Sequence, residues 1–203
     1  MKSVHDQVSE PVAISTIPVN NFGTFVMMVF LNKKNGFEQV VLIKDPVIPN
    51  QVPLVRIHSE CITGDVFGSQ RCDCGTQLNT SLSMIGEQGG VVIYLRQEGR
   101  GIGLVNKLKA YALQEAGYDT VEANVHLGLP IDNRDYSEAC HILDYLGIDV
   151  VRLLTNNPCK VEALEQNGII VSQRVAIESE PTLYNREYLS TKQKKMGHFL
   201  NIM

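Results

Sequence analysis

The sequence predicts a mixed α/β fold, with a β-rich N-terminal half of antiparallel strands and a C-terminal half of alternating strands and helices around a partly parallel sheet. Three observations carry this. Four runs rich in β-branched residues fall between residues 12 and 58, separated by turn-forming stretches. After Cys74 the apolar period lengthens to that of helices, most of them ending at glycine and followed by a short continuous apolar run. No repeat, low-complexity segment or linker interrupts the 203 residues, so 1–203 reads as a single unit, β-rich over 1–55 and motif-bearing over 56–200.

The predicted strands are VAISTIPV (12–19), TFVMMVFL (24–31), QVVLIK (39–44) and LVRIH (54–58), and their short connections favour antiparallel pairing. A helix follows over TQLNTSLSMIGEQGG, with Leu78, Leu82 and Ile85 on one face and a stop at Gly89-Gly90. VVIYL (91–95) reads as a strand buried on both faces. LVNKLKAYALQEAG (104–117) is a helix ending at Gly117. DYSEACHILDYLG (135–147) has Asp135 and Glu138 at capping-box spacing and ends at Gly147. VVRLL (150–154) is a strand, and NPCKVEALEQNG (157–168) a helix with Asn157 as N-cap, Pro158 at the first helical position and Gly168 past the end. IIVSQRVAI (169–177) is the last strand, and a polar tail from about Tyr184 to Met196 is compatible with helix.

Composition excludes some functions. Hydrophobic residues make up 44% and charged residues 20%, ordinary for a globular domain. A net charge of −4, without interleaved basic and aromatic residues, argues against a nucleic-acid coat. MKSVHDQVSEPVAIS lacks the apolar run of a secretory signal, and Phe25 to Leu31 is too short to cross a bilayer, so a cytoplasmic location is expected. Thiols stay reduced there, and clustered cysteines point to metal or catalysis before disulfides.

Cys61, Cys72 and Cys74 form such a cluster, spaced C-x10-C-x-C. Thiolates suit Zn2+. A closed structural site would need a distant fourth ligand from Cys140, Cys159, His58, His126 or His141, whereas an open catalytic site would leave that position to water. Spacing alone leaves both possible. Cys140 reads as filling the apolar face of its helix, and Cys159 as packing at a helix start.

Polar motifs surround the cluster. RIHSE (56–60) concentrates polar groups at a strand end. LRQEGRGIG (95–103) sits between strand and helix, with glycines and arginines suited to an anion, though it lacks the lysine signature of a Walker loop. GLPIDNRDY (128–136) holds Asp132 and Arg134 two apart, as either an ion pair or a functional pair. LLTNNPCK (153–160) brings Thr155, Asn156 and Lys160 to the end of a buried strand, where open α/β sheets bind ligands.

Taken in order, RIHSEC, GSQRCDCGTQL, YLRQEGRGIGL, TVEAN…LGLPIDNRDY and LLTNNP closely resemble the GTP cyclohydrolase II family of riboflavin biosynthesis, over about Val55 to Leu200. The resemblance implies hydrolysis of GTP with loss of C8 as formate and of pyrophosphate, leaving 2,5-diamino-6-(ribosylamino)pyrimidin-4-one 5'-phosphate. It implies zinc on Cys61, Cys72 and Cys74, with the fourth position open to water, Mg2+ with the triphosphate, and a homodimer. By motif, Arg56, Ile57, His58, Ser59, Glu60, Gln77, Glu98, Gly99, Arg100, Thr120, Thr155 and Lys160 would contact GTP. Asp132 would be the proton acceptor, Arg134 the nucleophile and Tyr111 an assisting group. Read from chemistry alone, Arg134 is a phosphate clamp, because guanidinium holds its proton beyond pH ~12. Two other functions compete: a paralogue that cleaves only pyrophosphate, and a zinc-stabilised nucleotide- or nucleic-acid-binding regulator.

Overall fold

The computed structural model describes residues 10–45, 51–177, 179–197 and 199. Seven strands form one mixed sheet: β1 (Ala13–Val19), β2 (Gly23–Leu31), β3 (Glu38–Lys44), β4 (Leu54–Ser59), β5 (Gly90–Leu95), β6 (Val150–Leu154) and β7 (Ile170–Val175), in the order β1-β2-β3-β5-β4-β6-β7. Among the described residues the helices are α1 (Ile62–Asp65), α2 (Cys74–Gln88), α3 (Gly103–Glu115), α4 (Thr120–His126), α5 (Ser137–Tyr145), α6 (Pro158–Gln166) and α7 (Arg186–Met196), with a 3-10 turn at Glu98–Gly101. The mixed α/β class stands as expected.

The antiparallel meander is real for β1, β2 and β3, and β3 also pairs antiparallel with β5. β4 departs from it. It lies between β5 and β6 and pairs in parallel with β6, which is parallel to β7. Its buried run Leu54–His58 explains the difference, because a strand covered on both faces belongs inside a sheet.

The described residues divide into two compact units: those within 1–58 with Asn79–Arg96 and Tyr136–Ile177, and Ser59–Leu78 with Gln97–Asp135 and those within 178–203. The first carries the sheet. Its core joins Phe30 and Val41 of the meander to Val55, Ile57, Ile93, Val151 and Leu153 of the inner strands and Ala139, Ile142 and Leu143 of α5. Cys140 lies in this core, 3% exposed, as its helical position predicts.

Glycines end helices where expected, with Gly117, Gly147 and Gly168 all at positive φ. Asn157 caps α6 by accepting from the Cys159 N–H at 3.1 Å, with Pro158 in the first turn. Two local expectations fail. The start of α5 departs from the reciprocal Asp135–Glu138 pairing: the helix begins at Ser137, the Asp135 N–H donates to Gln97 Oε1 at 3.2 Å, and Glu138 accepts from Asn32 Nδ2 at 2.8 Å. Cys159 is exposed and does not pack, since its place in the first turn of α6 turns it outward. Unforeseen from the periodicity, α4 carries a capping box: the Asp119 carboxylate accepts from the Val121 and Glu122 N–H groups, and Glu122 accepts in return from the Asp119 N–H.

Candidate metal centre and anion-binding loops

The second unit gathers the three clustered thiols. Cys61 ends the polar stretch after β4 and leads into α1, whose single turn closes with the Gly64 and Asp65 N–H groups donating to the Cys61 carbonyl at 2.9 and 2.7 Å. The Asp65 carboxylate returns to the Cys61 N–H at 2.9 Å. Cys74 opens α2. The two segments touch so closely that a Cβ on Gly75 would stand 2.3 Å from the Gly64 carbonyl oxygen, so only glycine lets the thiols converge.

The Cys61, Cys72 and Cys74 sulfurs lie within 4.8 Å of one another, with Cys61 and Cys72 Sγ 3.6 Å apart. Tetrahedral zinc with bonds of about 2.3 Å sets sulfurs about 3.8 Å apart, so the trio fits that ion. Among the described residues no further Cys, His, Asp or Glu joins the group. The Cys72 and Cys74 thiols donate toward Cys61 and hold its pKa far below the ordinary value, and Lys107 and Thr63 act the same way against the burial that opposes ionisation. Cys72, as a donor to Cys61, is pushed up to about 11. Cys74 rises too, from its hydrogen bonds to both thiols and its burial. Cys61 is also the thiol that the Lys107 ammonium touches.

Two buried ion pairs bracket this cluster. Lys107 of α3 donates to Cys61 Sγ at 3.1 Å, Thr63 Oγ1 at 2.9 Å and Glu98 Oε1 at 2.8 Å. Burial alone would lower its pKa, but the hydrogen bond to Glu98 and the charge of Cys61 raise it instead. On the other side Asp73, between two of the cysteines, accepts from Lys192 of α7 at 2.9 Å and from Gln77 Nε2 at 2.5 Å. Burial pushes the Asp73 carboxyl up, and Lys192 more than offsets it, so the net shift is downward.

The loop after β5 belongs to the same unit. Gly99 and Arg100 both adopt left-handed backbone, φ 62° and 60°. Arg100 accepts through its carbonyl from the Asn133 N–H at 3.0 Å, and a Cβ on Gly101 would meet the Asn133 oxygen at 2.7 Å. The two predicted anion loops, 95–103 and 128–136, are therefore one assembly. Within it Arg134 turns its Nε toward both oxygens of Asp132, at 2.9 and 3.1 Å, and its Nη2 onto Oδ2 at 2.5 Å. Partial burial would raise the Asp132 pKa, but Arg134, with help from Arg100, holds it below the ordinary carboxylate range. Tyr111 carries the Arg71 guanidinium 4.9 Å above its ring. Ser59 accepts from Gln97 Nε2 at 2.9 Å, Glu60 is half-buried, and Thr120 opens α4.

The remaining predicted contacts lie in the first unit. Arg56, 4% exposed, donates to the Leu154 carbonyl at 3.1 Å and meets His58 Nδ1 at 3.3 Å. His58 stacks on Tyr94 with centroids 5.4 Å apart. Lys160 donates to the Ile57 carbonyl at 2.7 Å and stands 5.5 Å from the centre of the Tyr136 ring. Thr155 accepts from the Asn157 N–H at 3.0 Å. Arg56, Ile57, His58, Thr155 and Lys160 therefore come together at one end of β4 and β6.

The family model described as GTP cyclohydrolase II matches residues 10–176. This chain belongs to the GTP cyclohydrolase II family. It is 53% identical over 188 residues to the riboflavin biosynthesis protein RibBA of Bacillus velezensis, covering 92% of this chain and 47% of that protein. It is 50% identical over 190 residues to GTP cyclohydrolase-2 of Pseudomonas putida, covering 93% of this chain and 92% of that protein. The chain spans about half the length of the RibBA relatives it matches.

Within this family member, the motifs led to the thiols, the two loops and the Asp132–Arg134 pair, but not to Lys107, Asp73 or Lys192. A lysine in an amphipathic helix reads as solvated, and nothing in NKLKAY marks Lys107 as the buried one. Its i−9 relation to Glu98 crosses a turn, outside any helical pairing rule. Glu98, expected as a GTP contact, is engaged within the protein: it accepts from Lys107, from the Ile62 N–H at 2.7 Å and from the Gly99 N–H at 2.7 Å.

Proposed function

We propose that the chain hydrolyses GTP, releasing C8 as formate and the outer phosphates as pyrophosphate to leave the diaminopyrimidine ribosyl phosphate, the first step of riboflavin biosynthesis. The observation that carries the reading is a cluster of three thiols joined, among the described residues, by no fourth protein ligand, in a member of the GTP cyclohydrolase II family. A filled tetrahedral set would suit a structural ion, and three ligands suit a working one.

Cys61, Cys72 and Cys74 would hold the zinc, which when bound supplies Lewis acidity for hydrolysis at C8. Gln77, oriented by Asp73, and Glu60 would read the guanine edge, since an amide and a carboxylate match its donors and acceptors. Arg100 and Arg134 supply cations for the phosphates, and the Gly99–Arg100 turn lets the backbone approach them. Thr120, Tyr111 and the first unit's Arg56, Ile57, His58, Ser59 next to them in the chain, Thr155 and Lys160 complete the proposed contacts. Mg2+ on the triphosphate, a cytosolic location, a homodimeric state and one catalytic unit over 1–203 belong to the same reading.

Asp132 and Arg134 would release pyrophosphate: an Arg134 nitrogen bonds to the α-phosphorus as the bond to the pyrophosphate oxygen breaks, and Asp132 takes the guanidinium proton. Before substrate binds, that transfer is uphill by more than about 8 pK units, on the order of 11 kcal/mol. The proton must therefore leave as the N–P bond forms, when the nitrogen loses its basicity. Water then cleaves the N–P bond and restores the arginine.

The test incubates the chain with GTP, Zn2+ and Mg2+ while following formate and pyrophosphate together. Equal amounts are expected. Pyrophosphate alone would replace the reading with a paralogue that keeps C8, and no turnover of either product would reject it. A quenched single turnover with labelled GTP should leave a guanosine monophosphate adduct on Arg134, and its absence would return Arg134 to a clamp.

A further inference from the structure

The cation beside the thiols is built into the protein more firmly than a solvent-facing lysine. Lys107 is 8% exposed, and its ammonium has three protons and three acceptors: Cys61 Sγ, Thr63 Oγ1 and Glu98 Oε1, all within 3.1 Å. Of the three thiols it touches Cys61 alone. Glu98 fixes it from behind, and the same carboxylate takes the N–H of Ile62, next to Cys61, and the N–H of Gly99, in the anion loop. One lysine–glutamate pair thus ties a metal ligand to the turn that presents Arg100.

We infer that Lys107 is a positioning residue for the thiolate centre: its N–H···S bond draws electron density off Cys61, and through Glu98 it holds the Gly99–Arg100 turn in register with that ligand. The inference rests on the zinc reading above. Three thiolates leave a divalent ion with net charge −1 and weaken it as a Lewis acid. A donor at contact distance on one sulfur reverses part of that loss, because outer hydrogen bonds tune how strongly a ligand donates. Glu98 offsets the ammonium's charge at longer range, but the hydrogen bond acts on the sulfur itself.

The experiment uses the full chain loaded with Co2+ for spectroscopy and with Zn2+ for turnover, comparing wild type, Lys107→Met and Lys107→Arg. The Met variant should still bind one Co2+ per chain, while its thiolate-to-cobalt charge-transfer band moves to lower energy as Cys61 becomes more electron-rich. Formate release should fall about 10- to 100-fold in kcat, the usual effect of losing an outer partner of a ligand, and KM for GTP should rise as the Gly99–Arg100 turn loses its register. Arg, which keeps an N–H donor, should return the band and part of kcat. A band unmoved in Lys107→Met overturns the inference whether or not kcat falls, because the lysine would then act on something other than the thiolate. Should the Met variant fail to fold, Lys107→Met with Glu98→Gln leaves no buried carboxylate unpaired, and the same band shift is required of it. Wild type without any thiolate band overturns the zinc reading and this inference together, whereas a wild-type band that the variants leave in place overturns this inference alone.

Discussion

The sheet-bearing unit and the thiol-bearing unit bury different chemistry. In the first, Val55, Ile57, Ile93, Val151 and Leu153 pack with α5 in an apolar core fed by five strands, and the buried polar groups Arg56, His58, Thr155 and Lys160 sit apart from it at one end of β4 and β6. In the second, the buried set includes Cys61, Cys72, Asp73, Lys107, Asn124 and Lys192, and the contacts that fix it are N–H···S, ion-pair and backbone-to-carboxylate bonds. An apolar core tolerates repacking, because hydrophobic attraction is non-directional. A buried polar network does not, since each group left without its partner retains its full desolvation cost. The second unit is therefore the part whose structure should depend on a bound ion, and the first the part whose structure should not.

Removing one of the proposed zinc ligands should give the largest effect. Cys72→Ser should lower formate release about a thousand-fold, the equivalent of about 4 kcal/mol of lost charge stabilisation. Amide exchange measured by mass spectrometry should then rise over 59–78 and stay unchanged over β6. Equal loosening of both regions would break the distinction between the units. Stripping the metal with a chelator should reproduce this pattern in wild type.

Next is Lys192→Met. Asp73 is 3% exposed, and removing one partner of a buried pair costs about 3–5 kcal/mol because the other charge stays behind. The second unit should bear it: exchange should rise over α7 and over 72–74, and zinc should be lost to a competing chelator more readily. Asp73→Asn with Lys192→Met removes both charges and should recover most of the loss. If the double variant is no better than the single one, the pair is not what secures α7.

Leu153→Ala probes the other unit. The side chain is fully buried, and such truncations cost about 2–5 kcal/mol. Denaturant melts should show that loss, while kcat per folded molecule at low denaturant should change less than about twofold. A kcat that falls in step with stability would mean that the sheet's packing feeds into the chemistry.

How legible each unit was follows from the same contrast. The sheet was readable because hydrophobic period is local: β1, β2, β3, β5, β6 and β7 and the helix ends at Gly117, Gly147 and Gly168 were all foreseen within a residue or two. The place of β4 was not, because LVRIH carries an arginine and a histidine that read as solvated, and their burial depends on distant partners such as the Leu154 carbonyl. The thiols stood out by residue type and spacing. Lys107 and Lys192 did not, because a lysine's burial is decided by partners far away in the chain, Cys61 at a separation of 46 and Asp73 at 119. Asp135–Glu138 and Asp119–Glu122 show the same thing at short range: identical spacing, but in the first pair the Asp135 N–H goes to Gln97 and Glu138 takes a bond from Asn32.

The smallest prediction separates local from distant control inside the first unit. Asn157 caps α6 through Oδ1, and its Nδ2 lies 3.4 Å from the Tyr136 hydroxyl. Asn157→Ala loses both contacts and should cost about 1 kcal/mol, the usual value of a cap. Asn157→Asp keeps the acceptor, sets a negative charge at a helix N-terminus where the dipole favours it, and loses only the Nδ2 contact. If capping sets the stability of α6, the Asp variant should melt within about 0.5 kcal/mol of wild type and clearly above the Ala variant. If instead the Tyr136 contact dominates, both variants should fall together, and even this sequence-legible helix start would owe its stability to a partner 21 residues away.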